Sequence, residues 1–302
     1  NPLSLSNNNI TKIEVDKEGT IWVGTRGGGL NKILKKGSDY IFERYTSYSK
    51  INSLSNDHIL SLEADDKGNL WIGTWDFGIY VINTQGHIKQ HYTIKNSGLI
   101  SNIVCSIVRG NNGKMYIGTF NGGLSVFDPI SEKWTTYLHD ETDKSSLINN
   151  MIFILYLDSR ENLWIGTVSH GLDLMYMDES GRVRFKHYEK DVNNSRSISG
   201  RTVQAIYEDK NGHLWIGTTS GLSLLNQQED TFTNFTMNHG LPSNSIMGIL
   251  EDDHGYLWVS SLNGIFKFNI ENQSVETFKT GDGLQGKQFY RSTCYVTRDG
   301  YM

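Results

Sequence analysis

Aromatic side chains next to polar ones follow two copies of a repeated motif. Trp75-Asp76-Phe77 follows one copy, and Phe120-Asn121 follows the next. Aromatic rings on a surface can lie against the apolar face of a sugar, while nearby amide and carboxylate groups bind its hydroxyls. These residues therefore predict a saccharide-binding site. The alternative is that the rings cap a sheet or contact a neighbouring domain.

Further polar residues occur at related points of other repeats. If the saccharide is acidic, Arg26 and Arg201 are predicted to bind its carboxylate, because a guanidinium group binds a carboxylate through two parallel hydrogen bonds. His58, His170 and Asn244 complete the set of predicted ligand-binding residues. For the two arginines, the alternative is that they are solvated surface residues.

The sequence gives little support for an enzyme. Asp76 and Asp57 have the chemistry of an acid and a base in a glycan hydrolase or lyase. The nine histidines are scattered, and no metal-ligand spacing, nucleophile turn or phosphate loop is present. We therefore predict no catalytic residue, no metal and no cofactor, and keep a glycan-cleaving enzyme as an alternative.

Composition excludes two classes of partner. The 302 residues include 28 basic and 33 acidic side chains, for a formal charge of −5, and the basic residues are dispersed. A nucleic-acid binder would concentrate positive charge on one surface, so we predict no nucleic-acid partner. No apolar run reaches the roughly 18 residues that a bilayer crossing needs, so we predict no membrane contact.

A motif of the form Gly-x-Leu-Trp-Ile-Gly-Thr repeats along the chain at intervals of 43 to 51 residues. It begins at Gly19, Gly68, Gly113, Glu161, Gly212, Gly255 and Gly300. This period matches four short strands with their turns, which is the size of a propeller blade. Alternating apolar residues, many of them β-branched or aromatic, favour strands over helices.

The repeat predicts an all-β fold, a β-propeller of four-stranded antiparallel blades forming one domain over residues 1–302. Six complete blades are predicted at 10–45, 59–92, 103–137, 152–188, 203–235 and 246–278, and the start of a seventh at 289–302, which indicates the seven-bladed type. In such a blade the hairpin between strands two and three and the connection from strand four to the next blade share one face. All the predicted ligand-binding residues lie there.

Two further features of the motif are predicted to be structural. The turns such as Asp16-Lys17-Glu18-Gly19 are hairpin turns, in which aspartate accepts backbone hydrogen bonds and glycine permits a positive φ. The aromatic position of strand two is predicted to be core, facing the neighbouring blade; it is occupied by Trp22, Trp71, Tyr116, Trp164, Trp215 and Trp258.

At these residues the chain resembles the two-component regulator propellers, whose blades carry the signature D-x-x-G-x-L-W-I-G-T-x-x-G-G-L. The match is carried by residues 16–30, 65–79, 113–124, 158–172, 209–222 and 252–265. Tyr116 in place of tryptophan, Glu161 in place of glycine and Ser260-Ser261 in place of Gly-Thr depart from it.

The resemblance implies the extracytoplasmic, periplasmic sensor of a hybrid two-component histidine kinase of the Bacteroides type. Such sensors carry tandem propellers followed by a β-sandwich, form homodimers and detect oligosaccharides released from glycans. We therefore expect a non-catalytic oligosaccharide sensor that controls a kinase elsewhere in an inner-membrane protein. The chain starts without methionine and stops within a repeat, so a longer protein is expected. The alternative is a structural or dimerisation propeller with no ligand of its own.

Overall fold

The computed structural model describes residues 4–37, 39–49, 53–286, 288–289 and 291. These residues form six four-stranded antiparallel sheets, each with its strands in chain order. Backbone contacts divide the chain into two compact units: residues 1–138 with 150–155, and residues 139–149 with 156–302.

The first unit contains the first three blades. Blade one consists of β1 (Ile10–Val15), β2 (Ile21–Thr25), β3 (Leu30–Lys36) and β4 (Asp39–Tyr45). Blade two consists of β5 (Ile59–Ala64), β6 (Leu70–Thr74), β7 (Ile79–Ile82) and β8 (Ile88–Tyr92). Blade three consists of β9 (Val104–Arg109), β10 (Met115–Thr119), β11 (Leu124–Asp128) and β12 (Lys133–Tyr137).

The remaining strands form three more blades. Blade four consists of β13 (Ile152–Leu157), β14 (Leu163–Thr167), β15 (Leu172–Met177) and β16 (Val183–Tyr188); residues 152–155 of β13 belong to the first unit. Blade five consists of β17 (Val203–Glu208), β18 (Leu214–Thr218), β19 (Gly221–Asn226) and β20 (Thr231–Phe235). Blade six consists of β21 (Ile246–Glu251), β22 (Tyr256–Ser261), β23 (Gly264–Asn269) and β24 (Val275–Phe278). Two 3₁₀ turns occur at Met237–His239 and Thr280–Asp282.

The prediction of a seven-bladed type is wrong, because the described residues form six blades and no seventh sheet. The seventh blade was predicted over residues 289–302, of which 290 and 292–302 lie outside the described residues. It rested on one incomplete motif copy, Gly300-Tyr301-Met302. The beginning of one motif copy has no partner strands, so it cannot form a sheet by itself.

In five of the six described blades, the aspartate turn and the tryptophan form one hydrogen-bonded unit. In blade one, Oδ1 of Asp16 accepts the backbone N–H of Thr20 at 2.9 Å, and Oδ2 accepts the indole Nε1–H of Trp22 at 2.9 Å. The same two hydrogen bonds occur in four other blades, at Asp65, Asp158, Asp209 and Asp252. The turn therefore positions the buried ring as well as reversing the chain.

Blade three lacks this aspartate–tryptophan hydrogen bond. Gly110 takes the place of the aspartate, and Tyr116 takes the place of the tryptophan. Oδ1 of Asn112 accepts the backbone N–H of Lys114 at 3.0 Å, which is the hydrogen bond that the aspartate accepts elsewhere. The missing carboxylate and the missing indole donor thus occur together, and a nearby amide replaces the backbone hydrogen bond.

The glycine of the Gly-Thr pair permits close approach between blades two and three. A Cβ added to Gly73 would lie 2.2 Å from Oγ of Ser61 and 2.7 Å from Cγ1 of Val104 on β9. Trp22, Trp71, Trp164 and Trp215 are at most 4% exposed, so the prediction that this aromatic position is core is confirmed for these four rings, whereas Tyr116 and Trp258 are half-buried.

Candidate ligand-binding face

The hairpin between β6 and β7 is closed by the threonine of the motif. Oγ1 of Thr74 donates to the carbonyl of Gly78 at 2.9 Å and accepts the N–H of Phe77 at 3.2 Å. Gly78 has φ 72°, and a Cβ there would lie 2.1 Å from the carbonyl oxygen of Tyr92, so only glycine fits. The three residues between Thr74 and Gly78 are therefore held at the end of the blade.

Those three residues present two aromatic rings to solvent. Trp75 is 45% exposed and Phe77 is 38% exposed. Between them, Asp76 has φ 82°, a left-handed conformation that few residues other than glycine adopt. An exposed carboxylate flanked by two exposed rings has both kinds of group that a sugar requires.

Backbone hydrogen bonds join this hairpin to blade one. The N–H of Trp75 donates to the carbonyl of His58 at 3.0 Å. His58 in turn pairs with Arg26 in an antiparallel β-bridge. Arg26, His58 and Trp75 are all exposed. A guanidinium, an imidazole and an indole therefore belong to three residues that backbone pairing links across this face.

The hairpin of blade three is attached to the same surface through residues 102–103. The N–H of Gly78 donates to the carbonyl of Asn102 at 2.9 Å, and the N–H of Phe120 donates to the carbonyl of Ile103 at 3.0 Å. Asn121 is exposed and has φ 66°. The structure thus brings together seven of the ten predicted residues on one face of the first unit: Arg26, His58, Trp75, Asp76, Phe77, Phe120 and Asn121.

Phe120 is less available than Trp75. Its ring is half-buried and stacks on Phe153 of β13, with centroids 6.4 Å apart and planes inclined by 26°. Sequence reasoning missed Phe153, because nothing in its strand pattern distinguishes it from an ordinary core residue. The stacked rings of Phe120 and Phe153 are therefore less accessible to a ligand than the exposed rings of Trp75 and Phe77.

The other three predicted residues lie in the second unit. His170 and Arg201 are exposed, and the carbonyl of Arg201 accepts the N–H of Gly171 at 2.7 Å. Oδ1 of Asn244 accepts the N–H of Met237 at 2.7 Å, so that oxygen is used within the chain. Their assignment to a ligand stays a prediction.

Asp57, considered above as a catalytic partner of Asp76, is tied into a loop. Its carboxylate accepts both the backbone N–H of Ser47 at 2.6 Å and the Ser47 hydroxyl at 2.8 Å. These contacts fix the connection between blades one and two, which is a structural role. Within the described residues, no group of three or more His, Cys, Asp and Glu side chains is arranged to hold a metal ion.

Three exposed aliphatic residues in the connections that follow β8 and β12 were also missed. Ile94 and Ile100, in the connection after β8, are 50% and 54% exposed, and Leu138, directly after β12, is 42% exposed. The signal available in the sequence was the presence of isoleucine and leucine in polar connections. They give the face of the first unit an apolar character beyond the two rings.

Five segments of the chain match the family model described as two component regulator propeller: residues 4–27, 53–76, 146–169, 197–220 and 240–263. The resemblance inferred from the motif is confirmed. The chain is also similar to histidine kinase P4 of Formosa agariphila, with 27% identity over 211 residues, covering 68% of this chain and 15% of that protein. The chain therefore spans a small part of that kinase.

Among solved structures, the chain is similar to one described as the extracellular domain of a hybrid two-component system from B. thetaiotaomicron. Identity is 28% and the TM-score 0.68, covering 94% of this chain and 36% of that one. Virginiamycin B lyase from Staphylococcus aureus has a TM-score of 0.67 at 18% identity, covering 94% of this chain and 88% of that one, which shows a shared fold alone. In the part of the chain that is described, no helix has the length and apolarity needed to cross a bilayer.

Proposed function

Because the chain is built from two-component regulator propeller repeats, we propose that it is a non-catalytic, periplasmic ligand-binding propeller of a hybrid two-component sensor. Its ligand is an oligosaccharide derived from a glycan. The observation that carries the proposal is the exposure of Trp75 and Phe77 on a rigid hairpin. The similarity to an extracellular domain of a hybrid system supports the location.

The ligand is expected to lie on the face of the first unit. The rings of Trp75 and Phe77 pack against the apolar faces of sugar rings, and Asp76 and Asn121 bind hydroxyl groups. Arg26 lies on a backbone position bridged to His58 and next to Trp75. An acidic sugar would place its carboxylate at this guanidinium group.

Signalling follows from the preference of the ligand for one arrangement of the sensor. We infer that the propeller works with an adjacent propeller and a β-sandwich of the same protein, in a homodimer that controls a histidine kinase. A ligand that binds one arrangement of the sensor more tightly shifts the population toward it, by no more than its difference in affinity.

The test is calorimetric titration with oligosaccharides from neutral and from uronic-acid-containing glycans. Trp75→Ala is expected to weaken binding of the active sugar by about tenfold or more, because a stacked ring contributes about 1–2 kcal/mol. Tyr176→Ala is the matched control, since Tyr176 is similarly exposed, at 44%, but lies near the far end of β15 from its hairpin. Arg26→Ala should affect acidic sugars only.

Two outcomes would contradict the proposal. Release of shortened products during incubation would favour a glycan-cleaving enzyme. If none of the oligosaccharides binds, the structural or dimerisation propeller is favoured. The exposed aliphatic side chains of Ile94, Ile100 and Leu138 are the observation that supports this alternative. In that case Ile94→Ser with Ile100→Ser should lower the molar mass measured by sedimentation, whereas the oligosaccharide sensor predicts sugar binding whatever the molar mass.

A further inference from the structure

An ammonium group is bound between a tyrosine and a carboxylate in blades four and five. The Nζ of Lys186 lies 5.3 Å from the centroid of the Tyr188 ring and forms an ion pair with Asp230. The Tyr188 hydroxyl donates to the same Asp230 carboxylate at 3.1 Å. An aromatic face and a carboxylate together make a binding site for a primary ammonium ion.

Blades two and three also have a tyrosine and an acidic residue at the corresponding positions, but no lysine at the position of Lys186. Tyr92 ends β8 as Tyr188 ends β16, and Glu132 precedes β12 as Asp230 precedes β20. Glu132 and Asp230 share a left-handed backbone, with φ of 55° and 54°. Two residues before Tyr92, however, the chain has Gln90 where blade four has Lys186.

A cavity of about 500 Å³ opens at this position. Its lining includes Gln90, Tyr92 and Glu132, and its aromatic wall is extended by Trp71 and Phe127. The Trp71 ring stacks on Tyr92 with centroids 5.7 Å apart, and Phe127 lies 5.5 Å from Trp71. Burial, and after it the charge of Glu132, raises the pKa of the Tyr92 hydroxyl. The aromatic wall and the Glu132 carboxylate thus line the same cavity.

In blades one and six, too, a lysine ammonium group lies over the tryptophan of the motif. Lys32 Nζ lies 5.2 Å from the Trp22 ring centroid and donates to the carbonyl of Thr84 at 2.7 Å. Lys267 Nζ lies 5.6 Å from the Trp258 ring. In blade two the residue paired with the tryptophan is Val81, and no lysine of the described residues lies over Trp71 or Tyr92.

We propose that the cavity beside Tyr92 and Glu132 binds a primary ammonium group on a small organic ligand, as the chain binds its own Lys186. The cavity lies at the Leu70 end of β6, whereas the Trp75 hairpin follows Thr74 at the other end. The ammonium site is therefore separate from the proposed oligosaccharide site, and each can fail without the other. Exposed Lys67 and Lys89 also line the cavity and balance part of its acidic charge.

The test is titration of the intact chain with two primary amines, Nα-acetyl-lysine amide and glucosamine, followed by NMR shifts of the Trp71 indole and by calorimetry. Their N-acetylated forms are the neutral controls. The charged form of at least one amine should bind about tenfold more tightly than its neutral control. Lysine binding alone indicates a peptide source, and glucosamine binding alone indicates an amino sugar. Absence of binding by both amines would overturn the proposal.

Two substitutions separate this site from non-specific binding. Gln90→Lys should occupy the cavity with the chain's own ammonium and weaken amine binding about tenfold, whereas Gln90→Met, of similar length but uncharged, should retain it. Lys186→Gln should create a second site of the same kind beside Tyr188, and because the Lys186 and Asp230 side chains are both partly exposed, loss of their ion pair should cost little stability. Unchanged amine binding in Gln90→Lys, or an unchanged number of sites in Lys186→Gln, would show that the assignment is wrong.

Discussion

The indole Nε1–H of Trp215 donates a hydrogen bond of 2.9 Å to Oδ2 of Asp209, and both residues are at most 4% exposed. Oδ1 of the same carboxylate accepts the backbone N–H groups of Asn211 and His213, each at 2.9 Å. One buried carboxylate thus satisfies a ring and two turn amides. A local turn and the packing between blades therefore depend on a single side chain.

Asp209→Ala should lower the free energy of unfolding by about 2–3 kcal/mol, because a buried indole N–H and turn amides lose their acceptor. Urea denaturation followed by tryptophan fluorescence measures this loss. Asp253→Ala is the control, since Asp253 forms an exposed ion pair with Lys210 and its loss should cost under about 1 kcal/mol. Equal losses in the two variants would contradict the role given to Asp209.

Asn112→Ala should destabilise the protein by about 1 kcal/mol, because the backbone N–H of Lys114 loses the acceptor that replaces the missing aspartate in blade three. Asn111→Ala changes the adjacent exposed asparagine and should have little effect. The difference between the two denaturation midpoints is the measurement. If the variants behave alike, Asn112 does not act as the substitute acceptor.

The local parts of the fold could be predicted from the sequence because they depend on neighbouring residues. Leu70–Thr74 is a short, fully buried run of apolar and small residues between turn residues, so its strand and both hairpins follow from the motif. Antiparallel order also placed the Trp75 hairpin and the His58 connection on one face. The blade number, by contrast, depends on which strands find partners, and Gly300-Tyr301-Met302 carried no information about that.

Long-range contacts explain the rest of what was missed. The stacking of Phe120 on Phe153 joins hairpin and strand residues of different repeats, and no spacing rule relates them. The motif predicted that Trp22 is buried, but not that its indole N–H requires Asp16. The open cavity beside Tyr92 became visible only when Gln90 and Lys186 could be compared in the same structural position.

His187 should titrate above its ordinary value of 6.5, because the buried Asp173 carboxylate accepts from its Nδ1 at 2.6 Å and raises the pKa of the imidazole. This contribution to stability is fully present below pH 6.5 and is lost as pH rises through the raised pKa. NMR titration of the His187 ring measures the pKa directly. Asp173→Asn, which keeps an acceptor for the N–H of Ile148, should lower it; an unchanged midpoint would contradict the ion pair.

Glu63 on β5 faces blade three and is surrounded by ionisable groups. Its carboxylate accepts the backbone N–H of Arg109, and Glu14, Lys12 and the Arg109 guanidinium lie nearby. Burial, joined for Glu63 by repulsion from the Glu14 carboxylate, outweighs the two cations and raises the pKa of Glu63 from 4.5 to about 8 and that of Glu14 to about 7. Asp16 adds further negative charge beside Glu14. The folded protein therefore favours the protonated form of this pair.

The stability of the protein should consequently fall as pH rises. A group whose pKa is raised on folding contributes its full stability below its unfolded pKa and loses it as pH rises through the folded pKa. For Glu63 that window is about pH 4.5 to 8. Because each pKa unit corresponds to about 1.4 kcal/mol, Glu63→Gln should increase the free energy of unfolding by several kcal/mol at pH 8 and leave it nearly unchanged at pH 4.5. Urea denaturation at both values measures the change, with the exposed turn substitution Glu18→Gln as control. A Glu63→Gln protein with the pH dependence of the parent would show that this carboxylate is ionised in the fold and that the neighbouring Lys12 and Arg109 outweigh its burial.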